Sequence, residues 1–223
     1  TAFDSVLLYT LSPLPPPKAK PSWVQLPQVK ADLEAVARTF AVWAFLVAAS
    51  PEEYDSLKYT PIWQGVRQGV AQADAGLLQR VRRTYAELDM PVDNYWGQWN
   101  SFAISLRGAG PFEAGPRTEE KLRGIIPLLN EFYTGARVAE LWAGAEPIYQ
   151  VHLERYLPLA APAMADSLAY LGRETPLPLA VYYVPNLLMR YGQGNNTPYD
   201  STAHIFVGPQ YNDLDWAQTI RHE

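Results

Sequence analysis

The sequence contains no cysteine, and that one absence removes disulfides, thiolate metal sites and cysteine nucleophiles together. It is also short of positive charge: 18 Lys and Arg stand against 23 Asp and Glu, for a formal net charge of −5. Nucleic-acid binding rests on neutralising phosphates with Lys and Arg, so no nucleic-acid partner is expected. Arg80, Arg82 and Arg83 do cluster, but Glu87 and Asp89 follow them, which reads as a solvated helix face. Long apolar runs are missing as well. The longest, Phe40 to Ala49, is half the roughly 20 residues that a bilayer-crossing helix needs, so a buried helix is expected there and no transmembrane segment. No G-x-S-x-G nucleophile elbow, Walker motif or G-x-G-x-x-G is found, and Gly192-Gln193-Gly194 reads as a loop. The acidic pairs Glu52-Glu53 and Glu119-Glu120 stand at helix starts, where the macrodipole accounts for them. Thr1 is not an initiator Met, so a processed, cut or engineered chain is expected, with no signal peptide left to read.

What is present is ordinary globular material. The 223 residues are 48% apolar and 18% charged, enough for one large domain or two small ones with a packed core. Seven Trp, 14 Tyr and 7 Phe supply large surfaces to bury, and 20 Pro mark element boundaries. Phe3 to Leu11 reads as a short strand, followed by a proline-rich connector from Ser12 to Pro27. Helical spacing of Leu33, Val36, Ala37, Phe40, Ala41, Trp43 and Ala44 predicts a helix over Lys30 to Ala49. Ser50-Pro51-Glu52-Glu53 and Thr60-Pro61 are start signals for two more, the second running from Ile62 to Ala73. Asp74 caps a helix to about Leu88, and a further helix spans Asp93 to Leu106. Gly108 to Gly115 reads as a loop. Thr118 opens a helix through Tyr133 that Pro127 kinks, and two more span Ala136 to Tyr156 and Ala161 to Leu171.

After Gly172 the character changes. Leu177 to Val184 is strand chemistry, Tyr191 to Ser201 reads as a polar loop, and Thr202-Ala203-His204-Ile205-Phe206-Val207 reads as a second strand closed by Gly208-Pro209. Asn212-Asp213 then caps a final helix, and with no Gly or Pro to end it the sequence is expected to stop inside that helix. The expected class is α+β: a mainly helical region over 1–172, then strands and the start of a helix over 173–223, forming one continuous domain.

Three histidines occur. His152 sits on a helix face and reads as structural, and His204 alternates with Ile205 on its strand, so the two face opposite ways. His222 is different. Thr219-Ile220-Arg221-His222-Glu223 matches the first half of H-E-x-x-H, in which two His one turn apart bind a metal and the Glu activates water. In this respect the chain resembles the zincin metallopeptidases, most closely their gluzincin branch, including uncharacterised bacterial members with a helical N-terminal half. The resemblance covers the last 45 or so residues in layout and five in motif. It implies Zn²⁺ in the intact protein, held by His222, by a His one turn later and by a downstream Glu. It also implies Glu223 as general base and a peptide or protein substrate gripped along Thr202, Ala203, His204, Ile205, Phe206 and Val207 as an edge strand. One His alone is no zinc site, so this chain is expected to be inactive and zinc-free. A secreted or periplasmic location goes with this expectation.

Three other readings stay open. A His-Glu pair arises easily by chance, and His222 then ends an ordinary helix. Asn94-Tyr95-Trp96-Gly97-Gln98-Trp99-Asn100 suits a non-catalytic domain that stacks a peptide or carbohydrate on Trp96 and Trp99, although Tyr95, Trp99 and Phe102 also form a core stripe. An apolar patch at Leu214, Ala217 and Ile220 would instead mark a fragment that docks on another domain.

Overall fold

Three helices of this chain begin where a short polar side chain closes the first turn. The structure, a computed structural model, describes residues 28–50, 60–88, 95–171, 180–190, 194–199, 202–210 and 213–222. Asp32 accepts from the Ala35 N–H at 2.9 Å and starts α1 (Leu33–Ala49). Thr60 accepts from Trp63 N–H at 3.2 Å and starts α2 (Pro61–Val70), with proline in the first turn where its missing N–H costs nothing. Asp74 accepts from Leu77 N–H at 2.9 Å and starts α3 (Ala75–Ala86). Then come α4 (Tyr95–Ser105), α5 (Glu120–Arg123), α6 (Ile126–Gly135), α7 (Val138–Leu171) and α8 (Asp213–His222).

Helix α1 is the axis of the main core. Every residue from Thr39 to Ala49 is buried, and α2, α3, α4, α6 and α7 pack around it. The uncharged run Phe40 to Ala49 is therefore the buried helix that its composition predicts. Among the described residues, no helix is long and apolar enough to cross a membrane.

Two sheets complete the α+β fold. A small antiparallel pair joins β2 (Leu106–Arg107) to β3 (Glu113–Ala114). The larger sheet contains β1 (Val29–Ala31), β4 (Ala180–Pro185), β5 (Gly194–Tyr199) and β6 (Thr202–Val207), in the order β1-β4-β6-β5. β1, β4 and β6 run parallel, and β5 is antiparallel to β6. On one face Val181, Tyr183, Ala203, Ile205 and Val207 pack with Leu153, Ala160 and Ala163 of α7 and with Trp216 and Ile220 of α8. On the other face Val184 and Phe206 join the main core.

Several sequence expectations change. The helix predicted from Lys30 begins at Leu33, because the Asp32 cap closes it there, and Val29–Ala31 pairs instead with Val181–Tyr183. The sheet thus draws on both the 1–172 and the 173–223 regions. The loop read over Gly108 to Gly115 contains strand β3. Pro127 stands in the first turn of α6, so the expected kink is a break between two helices. The two helices expected over Ala136 to Tyr156 and Ala161 to Leu171 are one, continuous through Pro147, Pro158 and Pro162. Each proline removes a helix donor, but the packing of Leu153, Ala160 and Ala163 against the sheet holds the axis together. The segment read as a loop over Tyr191 to Ser201 contains strand β5. The Phe3 to Leu11 strand, the proline-rich connector and the helix expected after Ser50 lie outside the described residues.

Candidate functional site

The strand-loop-helix unit β6–α8 is the part of the fold to which the sequence motif belongs. β6 ends at Val207, buried Gly208 and Pro209 follow, and α8 carries the chain through His222. The whole Thr219-Ile220-Arg221-His222 segment therefore sits on a helix, as a His pair one turn apart requires. Glu223 lies outside the described residues.

Two apolar side chains seat α8. Trp216 and Ile220, one turn apart, are 1% and 2% exposed. Burying an isoleucine contributes about 2 kcal/mol, and the indole adds more surface than that. Directional contacts supplement the burial. The Trp216 Nε1–H donates to the Tyr183 hydroxyl of β4 at 3.0 Å. That hydroxyl stands 3.3 Å from His152 Nδ1 of α7. Tyr156 stacks on Trp216 with centroids 5.0 Å apart, and His152 lies 4.6 Å from Tyr156, so four rings close on one another. Farther along α8, Thr219 Oγ1 donates to Gln210 Oε1 at 3.3 Å, while Gln210 Nε2 donates to the Gly208 carbonyl at 3.1 Å. Burial pushes the Tyr183 hydroxyl above its usual range, so it stays protonated. Burial, with the nearby Arg155 charge, lowers His152 to about 4 and keeps it neutral at physiological pH.

The six residues Thr202, Ala203, His204, Ile205, Phe206 and Val207 do form a strand, but not an edge strand. β6 is paired along its whole length with β4 on one side and β5 on the other. Its backbone is taken up on both sides, so it cannot accept an added substrate strand. The position next to it with one neighbouring strand among the described residues is β5. Pro198 stands in β5, and proline inside sheets is confined to edges and bulges. Sequence reasoning missed β5 because glycine and asparagine at its start look like a loop. The Thr197-Pro198-Tyr199 segment was the signal available.

His204 and Ile205 do face opposite ways. Ile205 packs on the α7–α8 side. His204 is stacked on Tyr182 at 5.1 Å, with burial lowering its pKa, Asp32 opposing that shift and Arg38 adding to it. It therefore belongs to the sheet face opposite α8. His152 reaches α8 through Tyr183 and Tyr156.

No group of three or more His, Asp or Glu suited to a metal comes together among the described residues. The side chains described here do not make a zinc site by themselves. Trp99 is 0% exposed and packs on Tyr85 and Phe102, so it cannot stack a ligand, and the binding-domain reading loses that ring. Ile220 is buried and Ala217 packs on the same cluster, so those two residues form no open patch. Arg80, Arg82 and Arg83 are taken up locally: Arg80 pairs with Glu131, Arg82 donates to the Ala48 carbonyl at 3.4 Å and Arg83 lies 4.0 Å from Glu87. Compared with known proteins, the chain matches no family model, no curated protein and no solved structure.

Proposed function

We propose that this chain carries the beginning of a zinc-dependent peptidase site. His222 is the first metal ligand, Glu223 the general base, and the remaining ligands lie beyond Glu223, the first of them a His one turn after His222. The substrate class is a peptide or protein. The observation that supports this reading is the helical state of the chain through His222, directly after a sheet strand. The antiparallel strand β5 next to β6, outermost among the described residues, supplies a backbone that an extended peptide can pair with, and it replaces β6 in that role.

The experiment is a metal and activity assay on the natural-length protein. Wild type is expected to bind one zinc and cleave an unfolded protein substrate. Glu223→Gln is expected to keep the zinc and lose cleavage by at least about a hundredfold. A natural sequence without His at the fourth position after His222 ends the proposal.

A further inference from the structure

The rings that surround Trp216 are more specific than apolar packing requires. A helix held on a sheet by burial alone can rock about its axis, because hydrophobic contact is non-directional. Helix α8 has directional contacts from side chains one turn apart, Trp216 to Tyr183 and Thr219 to Gln210. The first of these continues. An indole N–H only donates, so the Tyr183 oxygen accepts from it and the tyrosine proton is left to donate. His152 Nδ1 lies 3.3 Å away, and in the neutral tautomer that leaves this nitrogen unprotonated it accepts that proton. In that tautomer donor and acceptor roles run one way, from α8 through β4 to α7, across residues 31 and 33 positions apart in sequence.

We propose that Tyr183 is a positioning residue that fixes the rotational setting of α8, and that His152 orients it. This rests on the peptidase reading of α8, since a helix bearing a metal ligand needs its setting held to a fraction of an ångström. Neither residue touches substrate in this account. Tyr183 acts through Trp216, on the helix that carries His222.

The test uses the natural-length protein with two readouts, hydrolysis of an unfolded protein substrate and hydrogen exchange of the Trp216 indole N–H followed by NMR. Tyr183→Phe is expected to speed indole exchange about tenfold and to lower kcat about tenfold at unchanged KM. His152→Asn keeps an acceptor for the tyrosine and is expected to stay near wild type in both. His152→Leu removes the acceptor and is expected to follow Tyr183→Phe. Unchanged exchange and kcat in Tyr183→Phe overturns the proposal, as does equal behaviour of the Asn and Leu variants. If wild type binds no zinc and cleaves nothing, the peptidase reading fails, and the exchange arm alone decides whether Tyr183 fixes the helix.

Discussion

Thr60 joins two distant parts of the fold with one hydroxyl, and its replacement separates hydrogen bonding from packing. The residue is 7% exposed. Its oxygen accepts from Trp63 N–H at 3.2 Å, closing α2, and its proton goes to the Leu187 carbonyl at 2.9 Å, tying the segment after β4 to that helix. Thr60→Val keeps the volume and the branch but loses both bonds. Loss of a cap costs about 1 kcal/mol, and a buried carbonyl without its donor costs about 1–2 kcal/mol more. The expected destabilisation is about 2–3 kcal/mol, a fall of about 1 M in the urea midpoint. Thr60→Ser keeps both bonds and loses one methyl, worth about 1 kcal/mol. Equilibrium urea unfolding followed by tryptophan fluorescence measures both variants. A valine variant at least as stable as the serine variant would refute the reasoning, because packing would then outweigh the hydroxyl.

His152 makes stability depend on pH. Its folded pKa, about 4, lies below the ordinary histidine value of about 6.5, so between those values the unfolded chain binds the extra proton. Its contribution is complete above about pH 6.5, falls as pH falls, and levels off below about pH 4. Going from pH 7 to pH 5 it accounts for about 2 kcal/mol, so His152→Asn should lose that much less stability than wild type over the same interval. An equal loss in both proteins contradicts the buried neutral ring. Asn100 is 0% exposed, and its Oδ1 accepts from Trp43 Nε1 at 3.0 Å and from Asn186 Nδ2 at 3.5 Å. Asn100→Leu deprives two buried donors of this acceptor and should cost about 2–3 kcal/mol, seen as a lower melting temperature. A leucine variant as stable as wild type would show that the amide node contributes nothing.

The parts of the fold that were legible in the sequence are those set by neighbours along the chain. Thr60-Pro61 and Asp74 cap the helices they announce, and the Phe40 to Ala49 run is the buried helix that its lack of charge requires. Thr202 to Val207 forms a strand as its composition indicates. What was not legible depends on residues distant in sequence. Val29–Ala31 is a strand only because β4 lies beside it. β6 could be read as a strand but not as an interior one, since its place is decided by β5, whose Gly-Asn-Asn start hides it. The same holds for the candidate site. His222 is marked by the residues around it, whereas Tyr183 and His152 carry no motif and acquire a role only when α7, β4 and α8 meet.

The most direct test of the peptidase account is the zinc content of the natural-length protein, measured by elemental analysis after extensive dialysis and compared with His222→Ala. The account predicts one zinc per wild-type chain and almost none in the variant. No zinc in wild type, or the same zinc content in His222→Ala, would contradict it.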